Sequence, residues 1–374
     1  MDPIAVTNPA NSEILGRVVP FDRRQVQEAV AKARKGFPSW SKTDFSERKR
    51  IIAAYCGLLS RYRERIAREV TVQMGKPITQ SLGDAADVGP ETMWFVENSE
   101  KALAPEVIDS NSTLYWDALG VVACIKAWNF PLDLVSRSAV PAMLMGSCAV
   151  LKHSELTPFT GRSIERLMRE AGAPQDAFVL VEGAGETGEY LVDSEIDAVS
   201  FTGSSKVGVE IAQRCAAGLK KSVLELGGST PAIVFHDADL EKSAASVAAS
   251  RFNNCGQICS SAKRLLLDCR IEKEFTALLK EKAEALVVGD PLDPKTTLGP
   301  LASFAQRKRL EMQVADAKAK GGKAILGGGR PAGRQFEKGA FYEPTLIVDA
   351  PADCAVWREE TFGPVLPIRA FQTE

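Results

Sequence analysis

Between residues 121 and 217, short apolar runs alternate with amphipathic stretches, and this alternation restricts the fold more than any other feature of the chain. The runs at 121–127, 149–151, 178–181 and 198–201 have strand length, and helical patterns at 160–171, 186–192 and 205–217 lie between or after them. A strand, a helix and another strand in succession build a parallel sheet with helices on its faces. Further short strands are expected at 222–224 and 232–235. From Leu240 a second alternation begins, with helices at 241–252, 272–286 and 305–320 and a strand at 265–267. The expected fold class is α/β: a Rossmann-like dinucleotide-binding domain with a parallel sheet, and a second α/β catalytic domain.

The first part of the chain reads as helical. Val26, Ala29, Val30, Ala33 and Phe37 recur at helical spacing. Asp44 and Glu47 have the spacing of a capping box for a long helix through Ile66, and another helix is expected over 80–104. Residues 1–111 together with 121–225 form the expected dinucleotide-binding part. Residues 112–120 form a hairpin whose edge offers itself to another subunit, and 226–374 form the catalytic part.

Composition removes several function classes. Lysine and arginine total 46 against 48 acidic residues, giving a net charge of −2 with both signs interspersed. Nucleic acid is therefore not an expected partner. No stretch has the length and apolarity to cross a bilayer, and the first residues lack the basic and apolar regions of a signal peptide. Eight scattered cysteines without a CxxC pair point to reduced thiols and a cytoplasmic location. Two histidines, His153 and His236, leave little for a metal site or a histidine base. No metal is expected.

Candidate chemistry sits where strands end. Residues 183–188 spell GxGxxG between a strand and a helix, either a tight turn or a phosphate cradle. Gly203, Ser204 and Gly208 occupy a similar junction, where free helix amides and a hydroxyl suit a pyrophosphate. Lys152 and Glu155 follow another strand, placed to bond ribose hydroxyls; a carboxylate there opposes a 2′-phosphate and favours NAD over NADP. Glu225 lies in an apolar turn bounded by glycines, where burial would make a carboxylate a better base. Asn129 also ends a strand and can offer its amide to a developing oxyanion. Each of these residues has an ordinary structural reading as a turn, a cap or a solvated ion pair.

Residues 251–263, RFNNCGQICSSAK, place Cys259 after Gly256 and Gln257 and before small residues. A thiolate is the reactive form of cysteine, and a helix starting here would stabilise negative charge on it. With so few histidines, a carboxylate is the expected proton acceptor, which sets a cofactor-free cysteine hydrolase last among the readings.

Taken together, the segments AWNFP, KHSE, FTGS, ELGG, FNNCGQIC and EETFGP resemble those of the aldehyde dehydrogenase superfamily, in order and spacing, from Asn8 to the end of the chain. Within it the chain is most similar to the succinate-semialdehyde dehydrogenase branch. The resemblance implies that Cys259 attacks an aldehyde to give a thiohemiacetal and then a thioester. Asn129 and the Cys259 amide would hold the oxyanion, and Glu225 would activate water. It implies NAD as cofactor, with NADP as the other candidate, and contacts from Trp128, Lys152, Ser154, Glu155, Gly203, Ser204, Gly208, Leu226 and Glu360. Phe362 would lie beside the nicotinamide. Arg137 matches a position that binds the distal carboxylate of a semialdehyde, whereas the second arginine of that pattern is replaced by Asn253.

The chain ends at Glu374, soon after EETFGPV, where members of the superfamily continue. The expectation is a C-terminally truncated chain that lacks a strand used in subunit pairing; with that strand a homo-oligomer, dimer or tetramer, would form. Two alternatives remain beside NAD(P)-dependent oxidation of an aldehyde. One is a CoA-acylating relative. The other is an inactive fragment that binds dinucleotide or a partner subunit. Cys255, four residues before Cys259, is either a small core residue or an oxidative partner for it.

Overall fold

The computed structural model describes residues 2–373. Its strands in chain order are β1 (Ile4–Thr7), β2 (Ile14–Val18), β3 (Glu106–Val107), β4 (Thr113–Leu114), β5 (Val121–Ile125), β6 (Cys148–Lys152), β7 (Phe178–Val181), β8 (Ala198–Thr202), β9 (Lys221–Glu225), β10 (Pro231–Val234), β11 (Arg264–Asp268), β12 (Lys323–Leu326), β13 (Thr345–Val348) and β14 (Val365–Phe371). The chain divides into two units. The first comprises residues up to Val6, Ile14–Val70 and Leu82–Leu226; the second comprises Thr7–Glu13, Thr71–Ser81 and the chain from Gly227 onward.

In the first unit, β5 and β6 are buried at every position. Covered on both faces, such strands read as unbroken apolar runs. The sheet has the order β7-β6-β5-β8-β9 and every pairing is parallel. Helices Asp133–Leu144, Pro158–Glu170, Gly185–Asp193 and Ser205–Ala217 alternate with the strands. Pro158 starts its helix where a missing amide costs nothing, and Ile164, Leu167 and Met168 form the buried stripe. The chain moves outward from β5 through β6 to β7, then returns to lay β8 on the other side of β5. In open α/β sheets, ligands bind beyond the carboxyl ends of the strands at such a reversal.

The second unit has a five-stranded sheet of order β10-β11-β14-β13-β12. β12 alone runs antiparallel to its neighbour. Leu265, Leu267, Phe275, Leu310, Leu346 and Leu366 are among the residues of its core. Helices Leu240–Phe252, Glu272–Glu284 and Phe304–Ala319 accompany this sheet.

Four expectations need correction. The Asp44 side chain makes no capping bond. Glu47 is instead taken by the fork of Arg50, with both contacts at 2.7 Å, while a capping box forms at Asp22 and Gln25. The long helix breaks at Tyr62 into Phe45–Arg61 and Arg63–Met74. The antiparallel hairpin starts before 112–120 and overlaps only its beginning, pairing Glu106 with Leu114 and Val107 with Thr113, and Val121 belongs to the parallel sheet. Residues 7–13 and 71–81 pack within the second unit. The Pro9 carbonyl accepts the Ala340 amide, and Gln80 Oε1 accepts the Asn254 amide. Among the described residues no helix is long and apolar enough to cross a membrane.

Candidate active site

Because its strands are parallel, the first unit carries most of the expected cofactor residues on one sheet edge. Trp128 and Asn129 follow β5, Lys152, Ser154 and Glu155 end or follow β6, Gly203 and Ser204 follow β8, and Glu225 ends β9. His153 ties two of these loops together. Its Nε2 lies 3.0 Å from the Pro131 carbonyl and its Nδ1 lies 3.1 Å from the Thr157 hydroxyl. A neutral ring protonated on Nε2 satisfies both contacts. Burial pushes this imidazole down to about 4.

Ser204 caps the helix Ser205–Ala217 by accepting from the Val207 amide, and it is exposed. The remaining first-turn amides and this hydroxyl suit an anionic group. Gly203 and Gly208 serve close packing. A Cβ on Gly203 would lie 2.4 Å from the Phe201 ring, and one on Gly208 would lie 2.4 Å from Leu226 Cδ2. Leu226 and Gly208 are therefore neighbours. The Lys152 side chain is buried and its Nζ lies 3.4 Å from Glu155 Oε2. Desolvation lowers the lysine pKa while the carboxylate opposes that shift. The strand reversal, the serine-capped helix and this polar pair fit a dinucleotide.

Glu225 stands opposite Thr202 in the β8–β9 register and is exposed. The buried position expected for it is not observed, because β9 is an edge strand. Sequence reasoning missed Lys126, one residue past β5. Its buried ammonium donates to Ser200 Oγ at 2.8 Å and Thr202 Oγ1 at 3.3 Å. Burial lowers its pKa, and the charges of Cys124 and Glu225 work against that. The available signal was a lysine interrupting the apolar run 121–127.

In the second unit, Cys259 is exposed, whereas Cys255 is buried. No helix begins at Cys259; it lies in a turn after Gln257, so the expected helix-dipole support is absent. The segment Asn253–Gly256 instead contains three successive left-handed residues: Asn254 (φ 50°), Cys255 (φ 54°) and Gly256 (φ 71°). This conformation is unfavourable for cysteine and persists only where neighbours enforce it. Gln257 supplies one constraint: Nε2 donates to the Asn254 carbonyl at 3.0 Å, and Oε1 accepts the Ala302 amide at 2.9 Å.

Arg251 supplies another constraint. Fully buried, it donates to the carbonyls of Gly256, Ala262 and Thr361 at 3.1 Å each, to Ser261 Oγ at 3.3 Å, and to the Gly363 carbonyl. Burial lowers its pKa, with Cys255 and Glu360 opposing. Burial also raises the Cys255 thiol strongly, so it is no ready thiolate. Glu360 is brought to Lys263 at 2.6 Å, and the Phe362 ring centroid is 5.6 Å from the same ammonium. Arg251 and Lys263 were not singled out as site residues, although each is a cation bordering an apolar stretch.

Arg137 is exposed and paired twice, with Asp133 at 2.6 Å and Glu91 at 2.9 Å. Burial raises the Asp133 carboxyl to about 6, against the pull of Arg137.

An open parallel sheet with a strand-order reversal and a capped helix at its carboxyl edge is a dinucleotide-binding architecture. An exposed cysteine on a constrained turn adds a candidate nucleophile. The chain belongs to the aldehyde dehydrogenase family, whose profile matches residues 1–374. It is 35% identical over 378 residues to succinate-semialdehyde dehydrogenase [NADP(+)] GabD of Escherichia coli (strain K12), covering 99% of this chain and 77% of that protein. It is 34% identical over 378 residues to betaine aldehyde dehydrogenase of Bacillus subtilis (strain 168), with the same coverages. Among solved structures, 3,6-anhydro-L-galactose dehydrogenase in complex with NAP superposes with a TM-score of 0.96 at 31% identity, over 100% of this chain and 79% of that one. Betaine aldehyde dehydrogenase from Staphylococcus aureus in complex with NAD+ gives 0.96 at 32% identity, over 100% and 75%.

Proposed function

We propose that this chain oxidises an aldehyde to its carboxylic acid with NAD or NADP. The overall reaction takes the aldehyde, one water and the oxidised cofactor and yields the carboxylate, the reduced cofactor and two protons. The observation that carries the reading is the exposed Cys259 three residues after a left-handed segment, Asn254–Gly256, that buried polar side chains hold in an unfavourable conformation. Cys259 Sγ adds to the aldehyde carbon, and the carbonyl oxygen becomes an oxyanion stabilised by the Asn129 amide and the Cys259 N–H. A bound nicotinamide supplies the hydride acceptor. Loss of hydride from the thiohemiacetal carbon leaves a thioester on Cys259. Glu225 removes a proton from water, which attacks the thioester and releases the acid and the thiolate.

Trp128, Lys152, Ser154, Glu155, Gly203, Ser204, Gly208, Leu226, Glu360 and Phe362 are proposed to hold or shape the cofactor site. For the substrate we propose a semialdehyde such as succinate semialdehyde, in keeping with the names of several relatives. A second reading, an aldehyde without a distal carboxylate, is favoured by the two carboxylates already on Arg137 and by Asn253 in place of a second arginine.

The test is reduced-cofactor formation with succinate semialdehyde, glutarate semialdehyde, betaine aldehyde and a simple alkanal. The wild type is expected to turn over at least one of them and Cys259→Ala none. Turnover that survives in Cys259→Ala removes the covalent mechanism.

A further inference from the structure

Lys263 belongs to none of the segments that carry the family resemblance except as the end of the cysteine stretch, yet its side chain is 0% exposed. An ammonium has three N–H donors and no acceptor. Here the three acceptors are the Gly228 carbonyl at 2.7 Å, the Cys259 carbonyl at 2.6 Å and Glu360 Oε1 at 2.6 Å. Glu360 Oε1 also faces the Gly228 amide at 3.4 Å. Gly227 leaves the space this requires: a Cβ there would stand 2.0 Å from Glu360 Oε2. The Phe362 ring adds its negative face to the surroundings of the ammonium. Desolvation lowers the Lys263 pKa, and the hydrogen bond and charge of Glu360 hold it up.

A buried ammonium is a costly way to fill space that an apolar side chain would fill as well. Its three partners place it between the nucleophile's own carbonyl and the carboxylate given a cofactor contact above. We propose that Lys263 is a positioning residue that fixes Glu360 for the dinucleotide and anchors the backbone of Cys259, so that one ammonium serves both. The inference rests on the dehydrogenase reading. Neutralising Lys263 leaves Glu360 with only a long amide contact and frees its rotamers. Cofactor affinity should therefore fall through Glu360, with the Cys259 thiol itself still present.

The test is binding of NADH and NADPH to the full chain, followed by nucleotide fluorescence. The proteins are the wild type, Lys263→Met, Glu360→Gln and the double variant. Loss of a charge-assisted bond predicts that Lys263→Met weakens binding about tenfold or more. In turnover, the KM for cofactor rises by more than kcat falls. The double variant binds like Glu360→Gln alone, because the lysine acts through the carboxylate. Wild-type affinity in Lys263→Met, or multiplied losses in the double variant, overturns the inference and leaves the dehydrogenase reading intact. If the wild type binds neither nucleotide, both fall. Should Lys263→Met not fold, Gly227→Ala, which drives Glu360 off the ammonium, carries the same expected loss; unchanged affinity there overturns the inference.

Discussion

The side-chain amide of Gln257 donates to the Asn254 carbonyl and closes a left-handed turn that ends three residues before Cys259. The turn is the least comfortable backbone in the site, so it is where small changes have the largest expected effects.

Gly256→Ala is the sharpest of these. Its φ is +71°, and a Cβ would lie 2.2 Å from the Gly363 carbonyl oxygen. The backbone conformation alone costs a non-glycine residue about 1–3 kcal/mol, and the collision adds to that. The urea midpoint should drop accordingly, and Cys259 alkylation by iodoacetamide should change rate. A variant with wild-type midpoint and alkylation rate would show that the turn does not set the thiol's surroundings.

Glu225→Gln separates the two halves of the reaction. It leaves the thiol and the strand intact but removes the proposed base. The expected trace is one burst of reduced cofactor, with steady turnover lowered about 10²–10⁴-fold. A rapid-mixing experiment with the productive aldehyde measures both phases. Unchanged steady turnover assigns water activation to another group.

His153 predicts an acid-dependent loss of stability. Burial pushes the folded ring to about 4, while an unfolded histidine takes its proton near pH 6.5. Between those values the unfolded chain binds more protons, so stability falls as pH drops. Above the unfolded value the ring contributes no pH dependence. The full difference amounts to at most about 3 kcal/mol. Urea midpoints at pH 7 and pH 5 should show a smaller decline for His153→Asn than for the wild type. Equal declines would place the acid sensitivity elsewhere.

The parts of the fold that were legible in the sequence depend on local signals. The helix Ser205–Ala217 follows directly from Ser204 as cap and its buried stripe, and β7 is a short apolar run between turns. The helix break at Tyr62 has no glycine or proline to announce it. β14 pairs with β11, about a hundred residues earlier in the chain, and no nearby pattern encodes such a partner.

The site divides in the same way. Candidate strand-end residues such as Asn129, Glu155 and Ser204 stand out by their position along the alternation. Lys126, Arg251 and Lys263 escaped because charged residues beside apolar runs usually lie on a solvated face. Only the three-dimensional arrangement reveals the carbonyls, hydroxyls and carboxylate they meet, several of them far away in sequence. The left-handed turn escaped as well, since Cys255 is not one of the residue types enriched in that conformation.

Arg251 gathers oxygens from the stretch 256–262 and again from Thr361 and Gly363. During translation these acceptors emerge about a hundred residues apart. The guanidinium therefore waits, still hydrated, until the later pair has left the ribosome, and the Cys259 thiol acquires its final surroundings late in synthesis.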